Sequence, residues 1–316
     1  MRGRLDAVLV AARVAPLTRN IGLVPTALVT HTEPFHLSKA IATLDYVSTG
    51  RAGVRVQVSR RPHEAAHFGR RTFPNPNDQQ VIADSFDEAA DYVEVLRRLW
   101  DSWEDDAEIR DVQSGRFIDR NKLHYIDFEG RWFNVKGPSI TPRPPQGQPI
   151  VTALGHYAVP YRLIARSVDV GYVTPRDASH AREIVRQVRA EQAQVGRADE
   201  IVHLFGDLVV FVDDRAEKAQ QRKQRLDDLA GSEYGSDATI VMGSPGQLAD
   251  LLLEWQQAGL SGFRLRPGAL PHDLLQITRG LVPELQRRGA FRTRYTSSTL
   301  RGLLGLPRPA NRYAVA

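Results

Sequence analysis

The 316-residue sequence contains no cysteine, which excludes a disulfide framework, a thiolate metal site and a cysteine nucleophile. It also has no run that approaches eighteen consecutive apolar residues, so it predicts no membrane-spanning helix. The residues that follow Met1 lack the apolar core of a signal peptide. Together these absences favour a cytoplasmic protein with no membrane partner.

Lysine is scarce as well, because only five of the 42 basic residues are lysine and the rest are arginine. The formal net charge is +5, but most of the arginines have an acidic neighbour in the sequence. A nucleic-acid-binding arm would be a basic run with interspersed aromatic residues, and the basic pairs here, such as Arg60-Arg61, are short. We therefore expect no nucleic-acid partner. His31 and His36 resemble a metal-ligand spacing only superficially, so we expect no metal site either.

Apolar residues make up 42% and charged residues 25% of the chain, which is ordinary for a globular protein with a substantial core. Six β-rich runs alternate with helical patterns, as is typical of parallel βα units. A closed barrel of this kind needs eight strands, whereas an open doubly wound sheet tolerates six. The open sheet normally has phosphate-binding glycines after its first strand, where residues 21–32 contain only Gly22. The barrel is therefore favoured, and the six runs are 21–30, 51–59, 150–155, 168–174, 201–213 and 262–266.

Residues 60–148 interrupt this alternation and form a long insertion, of the kind that usually covers or shapes a site. Within it we predict a loop over residues 60–78 and a β-hairpin over 124–135, with the turn at Glu129-Gly130. We treat residues 1–316 as one domain with an irregular tail from about residue 289. The helical patterns span residues 7–14, 33–46, 79–103, 159–167, 178–195, 216–229, 245–258 and 271–288.

Five long segments resemble one branch of the bacterial luciferase-like flavin monooxygenases. This branch holds the larger component of nitrilotriacetate monooxygenase and its dibenzothiophene-sulfone relatives. A short motif such as Glu33-Pro34-Phe35-His36 would be weak by itself, whereas five segments in one order over nearly the whole chain are specific. The segments are Ile21–Gly53, Leu96–Asp111, His124–Pro149, Gly243–Phe263 and Val282–Tyr313.

The resemblance implies a TIM-like (β/α)8 barrel and a monooxygenase that uses reduced FMN and O2 to oxygenate a small organic substrate. It implies that a separate NAD(P)H:flavin reductase supplies the reduced FMN, and that the chain forms a homo-oligomer. Two alternatives stay open: an oxidoreductase that uses a deazaflavin coenzyme, and a non-catalytic paralogue that binds a ligand or a partner. Family members begin further upstream, so we also expect the first two barrel strands to precede this sequence in a longer reading frame.

Candidate flavin-binding residues follow from the same resemblance. Thr26 lies on the third family strand, whose inner face is near the flavin ring. Ser59 ends the fourth strand, where relatives have a flavin-contacting hydroxyl. Relatives carry Trp-Asn where this chain has Val54-Arg55. Arg55 should point inward, where a flavin oxygen or a structural ion pair would be its partner.

The phosphate loop of relatives usually reads Ala-Gly-Ser-Ser, and this chain has Leu154-Gly155-His156-Tyr157 in its place. Gly155 still allows backbone amides to approach an anion at the following helix. His156 and Tyr157 can donate hydrogen bonds, although the serine hydroxyls are gone. We expect Gly155, His156 and Tyr157 to bind the cofactor, and the sequence identifies no catalytic residue.

Other polar residues have structural explanations. Asp45 and Arg51 bracket a turn, and we expect an ion pair between them to hold it. His67 replaces an asparagine of relatives, and either a ligand contact or an ordinary loop position would explain it. Arg287 and Arg288 belong to the C-terminal segment and are expected to be structural or interface residues.

Overall fold

The computed structural model describes Gly3 and residues 5–314, which divide into two compact units. The first unit contains the chain up to Leu154, the segment Arg162–Asp169 and the residues from Tyr295 onward. The second unit contains Gly155–Tyr161 and Val170–Arg294. Among the described residues, no helix is both long enough and apolar enough to cross a membrane.

Each of the six β-rich runs contains a strand, as the sequence predicts. The strands are β1 (Thr26–Leu28), β2 (Gly53–Gln57), β3 (Glu108–Asp111), β4 (Arg116–Ile118), β5 (Phe128–Glu129), β6 (Asn134–Val135), β7 (Ile150–Gly155), β8 (Val170–Val173), β9 (His203–Val212), β10 (Thr239–Gly243) and β11 (Gly262–Pro267). The predicted hairpin is formed by β5 and β6, which pair antiparallel across a turn that begins at Gly130. The sequence analysis missed β10 and the β3–β4 hairpin.

The helices also follow the predicted periodicity. They are α1 (Ala7–Val14), α2 (Pro34–Val47), α3 (Pro62–Phe68), α4 (Gln79–Asp101), α5 (Ala158–Ser167), α6 (Ala178–Gln194), α7 (Ala216–Ala230), α8 (Pro245–Gln257), α9 (His272–Gln276), α10 (Val282–Arg287) and α11 (Leu300–Leu303). The pattern over residues 271–288 comprises α9, a π-helical turn at Ile277–Leu281, and α10.

Capping side chains set where several of these helices begin. The Asp78 carboxylate accepts hydrogen bonds from the backbone of Gln80 and Val81 at the start of α4. Ser244 and Gln247 form a capping box at the start of α8. Such caps satisfy N–H groups that have no acceptor within the helix.

The first unit contains a parallel arrangement of β1, β2 and β7. Thr26 of β1 lies opposite Arg55 of β2, and Arg55 lies opposite Thr152 of β7. Val54 and Val56 are buried, whereas Arg55 and Gln57 on the other face of β2 are half-buried. Because side chains alternate along a strand, Arg55 and Gln57 share one face.

Helix α4 ties the insertion to the rest of the first unit. Val95 and Leu99 pack with Ile126 and Phe128 in one buried apolar cluster. The fully buried Trp100 donates its indole N–H to the Ser38 carbonyl at 3.0 Å. Burial of an aromatic ring with its N–H satisfied stabilises the packing of α4 on α2.

The second unit is built around β9, which pairs in parallel with β8, β10 and β11. Most of β9 is buried, as expected for a strand covered on both faces. Gly262 of β11 lies opposite Phe205 of β9, and a Cβ atom at Gly262 would come within 2.5 Å of the Phe205 ring. Glycine is therefore required for this pairing.

Two predicted irregular regions contain short helices. The predicted loop over residues 60–78 includes α3, because Pro62 suits the first helical turn and Gly69 ends the helix at a φ of 66°. The predicted irregular tail contains α11, which begins at the Thr299 side chain. Both helices are short, so the apolar periodicity that reveals longer helices is weak in them.

The expected ion pair between Asp45 and Arg51 is wrong. The Asp45 carboxylate accepts hydrogen bonds from the backbone N–H groups of Ala52 and Gln146 at 3.1 and 3.0 Å. Arg51 instead donates to backbone carbonyls, including Ala15 at 2.9 Å and Ile21 at 2.7 Å. Both side chains are buried, and each satisfies backbone groups of segments outside the turn, such as Ala15, Ile21 and Gln146. The single-domain assignment and the strands expected upstream of Met1 stay predictions.

Candidate functional site

Thr26 and Arg55 are in direct contact on the half-buried face of β1 and β2. The Arg55 Nε donates a hydrogen bond to Thr26 Oγ1 at 3.0 Å. Its Nη2 donates to Gln57 Oε1 at 2.9 Å. The structure therefore brings two of the predicted flavin-binding residues together, and their role toward a flavin stays a prediction.

Ser59 lies just beyond the carboxyl end of β2 and is buried. Its backbone N–H donates to Thr30 Oγ1 at 2.9 Å, which joins the ends of two neighbouring strands. Its hydroxyl donates to the Glu64 carboxylate, and this hydrogen bond holds the pKa of Glu64 below its ordinary value. The hydroxyl hydrogen is therefore committed to Glu64, and only the oxygen of Ser59 could accept from a cofactor.

A cavity of about 120 Å³ lies beside this strand end, within the first unit. Its wall is formed by residues 30–33, Arg70, Arg71, Glu88, and the aromatic residues Trp132 and Phe133 of the turn between β5 and β6. Arg71 makes a two-pronged ion pair with the buried Glu88, with N–O distances of 2.6 and 2.5 Å. The insertion thus contributes aromatic side chains to a cavity at the end of β1.

His31 is the buried imidazole in the wall of this cavity, with only 5% of its surface exposed. Its ring stacks on Phe68, with centroids 5.0 Å apart, and meets Phe73 edge-on at 6.1 Å. Burial lowers the pKa of His31, and the positive charge of Arg71 lowers it further. The ring is therefore neutral at pH 7. Sequence reasoning considered His31 only as a metal ligand, and among the described residues no cluster capable of holding a metal ion includes it.

His67 is not among the residues that line the cavity, but its neighbours Phe68 and Gly69 have structural roles nearby. It lies in the last turn of α3, directly before Phe68, which covers the His31 ring. The left-handed Gly69 then ends the helix. The His67-Phe68-Gly69 motif is thus explained in part by the position of Phe68.

Gly155, His156 and Tyr157 of the predicted phosphate loop lie in the second unit, whereas Leu154 belongs to the first. Gly155 is buried, whereas His156 and Tyr157 are exposed directly before α5. His156 Nδ1 lies 3.0 Å from Thr174 Oγ1, and its Nε2 lies 3.6 Å from the Asp237 carboxylate. These contacts orient the imidazole, while Tyr157 is 44% exposed.

Asp237 is also paired with Arg266 of β11, at an N–O distance of 2.8 Å. Partial burial would raise the pKa of Asp237, but the hydrogen bond and charge of Arg266 outweigh it, so the pKa lies below its ordinary value. Asp237 is therefore ionised at neutral pH and presents a negative charge to His156.

A second group of charged residues on β9 and β11 was not singled out from the sequence. Asp207 is completely buried, and its carboxylate lies 3.1 Å from Arg264 and 3.3 Å from Arg266. The Arg264 guanidinium also lies over the Tyr172 ring, 5.4 Å from its centroid. The available signal was an aspartate inside the apolar run of β9 and two arginines at alternate positions of β11. Charged residues inside buried strands need partners of opposite charge. The pattern therefore predicts that the aspartate of β9 pairs with the arginines of β11.

Comparison with known proteins decides the family. The sequence profile of the family described as "Luciferase-like monooxygenase" matches residues 1–231. The chain belongs to the luciferase-like monooxygenase family. It is accordingly an oxygenating oxidoreductase, which sets aside the non-catalytic alternative.

Curated relatives agree with the branch that the sequence segments indicate. Nitrilotriacetate monooxygenase component A of Aminobacter aminovorans is 30% identical, over 96% of this chain and 79% of the relative. N-acetyl-S-(2-succino)cysteine monooxygenase of Bacillus subtilis is 29% identical, over 98% of this chain and 83% of the relative. Dibenzothiophene-sulfone monooxygenase of Rhodococcus erythropolis is 27% identical, over 96% and 80%.

Solved structures confirm the predicted fold class, a TIM-like barrel of the luciferase-like type. Riboflavin lyase, solved with modified FMN and riboflavin, superposes with a TM-score of 0.85 at 27% identity, over 96% of this chain and 79% of that chain. A long-chain alkane monooxygenase superposes with a TM-score of 0.84 at 23% identity, over 95% and 77%. The second likeness concerns the fold alone.

Proposed function

We propose that this luciferase-like monooxygenase uses reduced FMN and O2 to insert one oxygen atom into a small organic substrate. The second oxygen atom leaves as water, and the two electrons come from the reduced flavin. A separate NAD(P)H:flavin reductase would supply that flavin. The name of the nitrilotriacetate relative, which is a component A, supports a two-component system.

The observation that carries the proposal is the end-to-end similarity to monooxygenases, together with the 0.85 TM-score to a flavin-binding enzyme at 27% identity. Fold likeness by itself would not support an activity, because TIM barrels host many chemistries. Sequence similarity over nearly the whole chain is a stronger basis for assigning an activity than similarity of fold alone.

The donors of the second unit suit a phosphate group. The first N–H groups of a ten-residue helix, α5, have no acceptor within the helix, and its N-terminal end carries partial positive charge. The buried Gly155 carries no side chain that would block an approaching anion, and the exposed His156 and Tyr157 add two side-chain donors. We therefore propose that Gly155, His156 and Tyr157 hold the FMN phosphate. His156 and Tyr157 would replace the serine hydroxyls of relatives.

The flavin ring would need donors and a partly dry surface. Arg55 and Thr26 offer both on the half-buried face of β1 and β2, and Ser59 offers an acceptor beyond β2. Exclusion of water protects reactive flavin chemistry from side reactions. We propose Thr26, Arg55 and Ser59 as ring-contacting residues.

A deazaflavin coenzyme remains the second candidate. A deazaflavin-dependent tetrahydromethanopterin reductase from Methanopyrus kandleri shares the fold, with a TM-score of 0.64 at 16% identity. This likeness concerns the fold alone, whereas the relatives at 27–30% identity are monooxygenases. FMN is therefore the preferred cofactor.

The first experiment separates the two cofactors. Reduced FMN and reduced deazaflavin are each titrated anaerobically into the full chain, and binding is followed by fluorescence. We expect reduced FMN to bind and reduced deazaflavin not to bind. Saturable binding of the deazaflavin alone would contradict the proposal.

The second experiment tests oxygen insertion. The chain is supplied with a flavin reductase, NADH, FMN and ¹⁸O2, and organic acids and organosulfur compounds are screened by mass spectrometry. We expect one ¹⁸O atom in the product. Flavin oxidation that yields only hydrogen peroxide across a panel containing the relatives' named substrates would count against the proposed activity.

Substitutions at His156 and His36 test whether His156 binds the FMN phosphate. His156→Ala should weaken reduced FMN binding about tenfold, by loss of a charge-assisted hydrogen bond, and should leave riboflavin binding unchanged. His36→Ala is the matched control, because His36 is exposed on α2 and has no proposed ligand. An equal loss of FMN and riboflavin affinity in the His156 variant would refute the phosphate role.

A further inference from the structure

The charged group on β9 and β11 contains more positive than negative charge. The guanidinium groups of Arg264 and Arg266 share one fully buried carboxylate, that of Asp207, at N–O distances of 3.1 and 3.3 Å. Two cations and one anion leave one positive charge unbalanced, and an unbalanced charge that is partly buried is unfavourable. The group therefore needs a further anion on its exposed side.

Asp237 is that further anion. Its Oδ1 accepts a hydrogen bond from Arg266 Nη2 at 2.8 Å and another from the Ser236 hydroxyl at 3.1 Å. Its Oδ2 lies 3.6 Å from His156 Nε2, which is too long for a hydrogen bond. The carboxylate of Asp237 thus lies between Arg266 and His156, and of these two it bonds only Arg266.

The two carboxylates that pair with Arg266 differ in exposure. The Asp207 side chain is inaccessible to solvent within β9, whereas the Asp237 side chain is 48% exposed in the loop before β10. An exposed carboxylate loses little when water replaces its partner, and a buried one loses much more. Asp237 is therefore the partner that another anion can displace. The Arg266 side chain is 29% exposed, so such an anion has access to it.

A phosphate group suits this exchange. Guanidinium groups recognise carboxylate and phosphate oxygens with the same planar fork of N–H donors. The FMN phosphate that the proposed function assigns to His156 would meet the Asp237 carboxylate as a like charge. Transfer of Arg266 from the carboxylate to the phosphate relieves this repulsion and keeps the positive charge of the group balanced.

We propose that Arg266 is a further phosphate-binding residue, which exchanges Asp237 for the FMN phosphate when the cofactor binds. Asp237 is then an internal competitor that occupies the arginine until the cofactor arrives. The proposal rests on the proposed function, because it takes the anion to be the phosphate that His156 holds. It adds an arginine that favours binding and a carboxylate that opposes it.

Asp237→Asn tests the competition. Reduced FMN and reduced riboflavin are titrated anaerobically into the full chain, and the ratio of their dissociation constants isolates the contribution of the phosphate. We expect the preference for FMN to rise about fivefold, the size of one exposed charge interaction. This gain should shrink at high salt, because ions screen exposed charges. Asp199→Asn makes the same change of charge at an exposed position before the amino end of β9, and should leave the preference unchanged.

Arg266→Lys tests the donor. Lysine keeps a positive charge beside Asp207 but lacks the fork of donors, so we expect the preference for FMN to fall about tenfold. Arg264→Lys is the matched control, because Arg264 pairs with the same buried carboxylate. Among the described residues its partners are Asp207 and Tyr172 rather than Asp237. Both variants disturb the pairing of Asp207, and only Arg266→Lys should change the preference for FMN.

The outcomes separate this inference from the proposed function. Equal binding of FMN and riboflavin by the wild type would show that the chain has no phosphate site, which refutes the assignment of His156 and the role of Arg266 together. A wild-type preference for FMN that stays unchanged in Asp237→Asn or in Arg266→Lys refutes the role of Arg266 alone, and so does an equal loss in Arg264→Lys. These titrations contain no O2 and no organic substrate, so a failure of oxygen insertion leaves their result intact.

Discussion

Asp169 provides the sharpest test of how the first unit is held together. Its carboxylate is almost fully buried and lies 3.1 Å from Arg97 and 3.4 Å from Arg301. It also accepts a hydrogen bond from the Val151 backbone at 2.8 Å. Asp169 therefore joins α4, β7 and the C-terminal tail through one charged group.

Asp169→Asn leaves the buried guanidinium of Arg301 and the half-buried guanidinium of Arg97 without their counter-charge. Removal of one partner from a buried ion pair typically costs about 3–5 kcal/mol. Asparagine keeps one oxygen that can still accept from Val151, so we expect a value at the lower end, about 3 kcal/mol. The free energy of unfolding at pH 7 is measured by urea denaturation, followed by circular dichroism.

The pH dependence gives an independent check of the same interaction. Burial alone would raise the pKa of Asp169, but the charges of Arg97 and Arg301 outweigh it and hold the pKa below its ordinary value. For a carboxyl group shifted in this direction, the stabilisation is present above the unfolded-state pKa and is lost as pH falls through the folded-state pKa. The stability gap between wild type and Asp169→Asn should therefore narrow as the pH is lowered below about 4.

Asp106→Asn is the matched control, since Asp106 is exposed and its ion pair with Lys122 lies at the surface. An exposed pair of this kind contributes little to stability, so the control should unfold close to wild type. A loss below about 1 kcal/mol for Asp169→Asn would refute the buried-charge argument. A difference in the free energy of unfolding between wild type and Asp169→Asn that does not change with pH would also refute this argument.

Two further substitutions test packing and backbone conformation. Leu99→Ala, within the buried cluster of α4 and the hairpin, should lower the free energy of unfolding by about 2–5 kcal/mol; a denaturation midpoint equal to that of wild type would contradict the assigned core. Gly69→Ala should cost about 1 kcal/mol through its left-handed φ of 66°, because a Cβ there meets no atom within 4 Å. Gly235→Ala, which also has open space but no such φ, should be neutral, and equal losses in both variants would show that backbone strain is not the cause.

The alternation of strands and helices could be predicted from sequence because it depends on local patterns. Runs such as Ile150–Gly155 are long and apolar, and helices such as α4 combine a capping aspartate with sustained apolar periodicity. The β3–β4 hairpin and α11 lack one of these signals, whereas the missed β10 is a five-residue, largely apolar strand. Strands β3 and β4 have four and three residues, and α11 has four.

Sequence also predicted the family and the branch, because five segments in a fixed order are a global pattern that does not depend on coordinates. It named the candidate residues Arg55 and His156, but it left their partners open. Arg55 finds Thr26 and Gln57, and His156 finds Thr174 and Asp237. Side chains that are tens of residues apart meet only once strand register is fixed.

Tertiary structure alone decided which polar groups are paired and which are not. Asp45 and Arg51 are six residues apart and opposite in charge, yet they do not pair: Arg51 donates to the Ala15 carbonyl, and Asp45 accepts from the Ala52 N–H. His31 and His36 look alike in sequence, but one is buried against two phenylalanines and the other is exposed. His31 is covered by Phe68 of α3 and by Phe73 of the loop that follows α3. No local pattern around His31 contains that information.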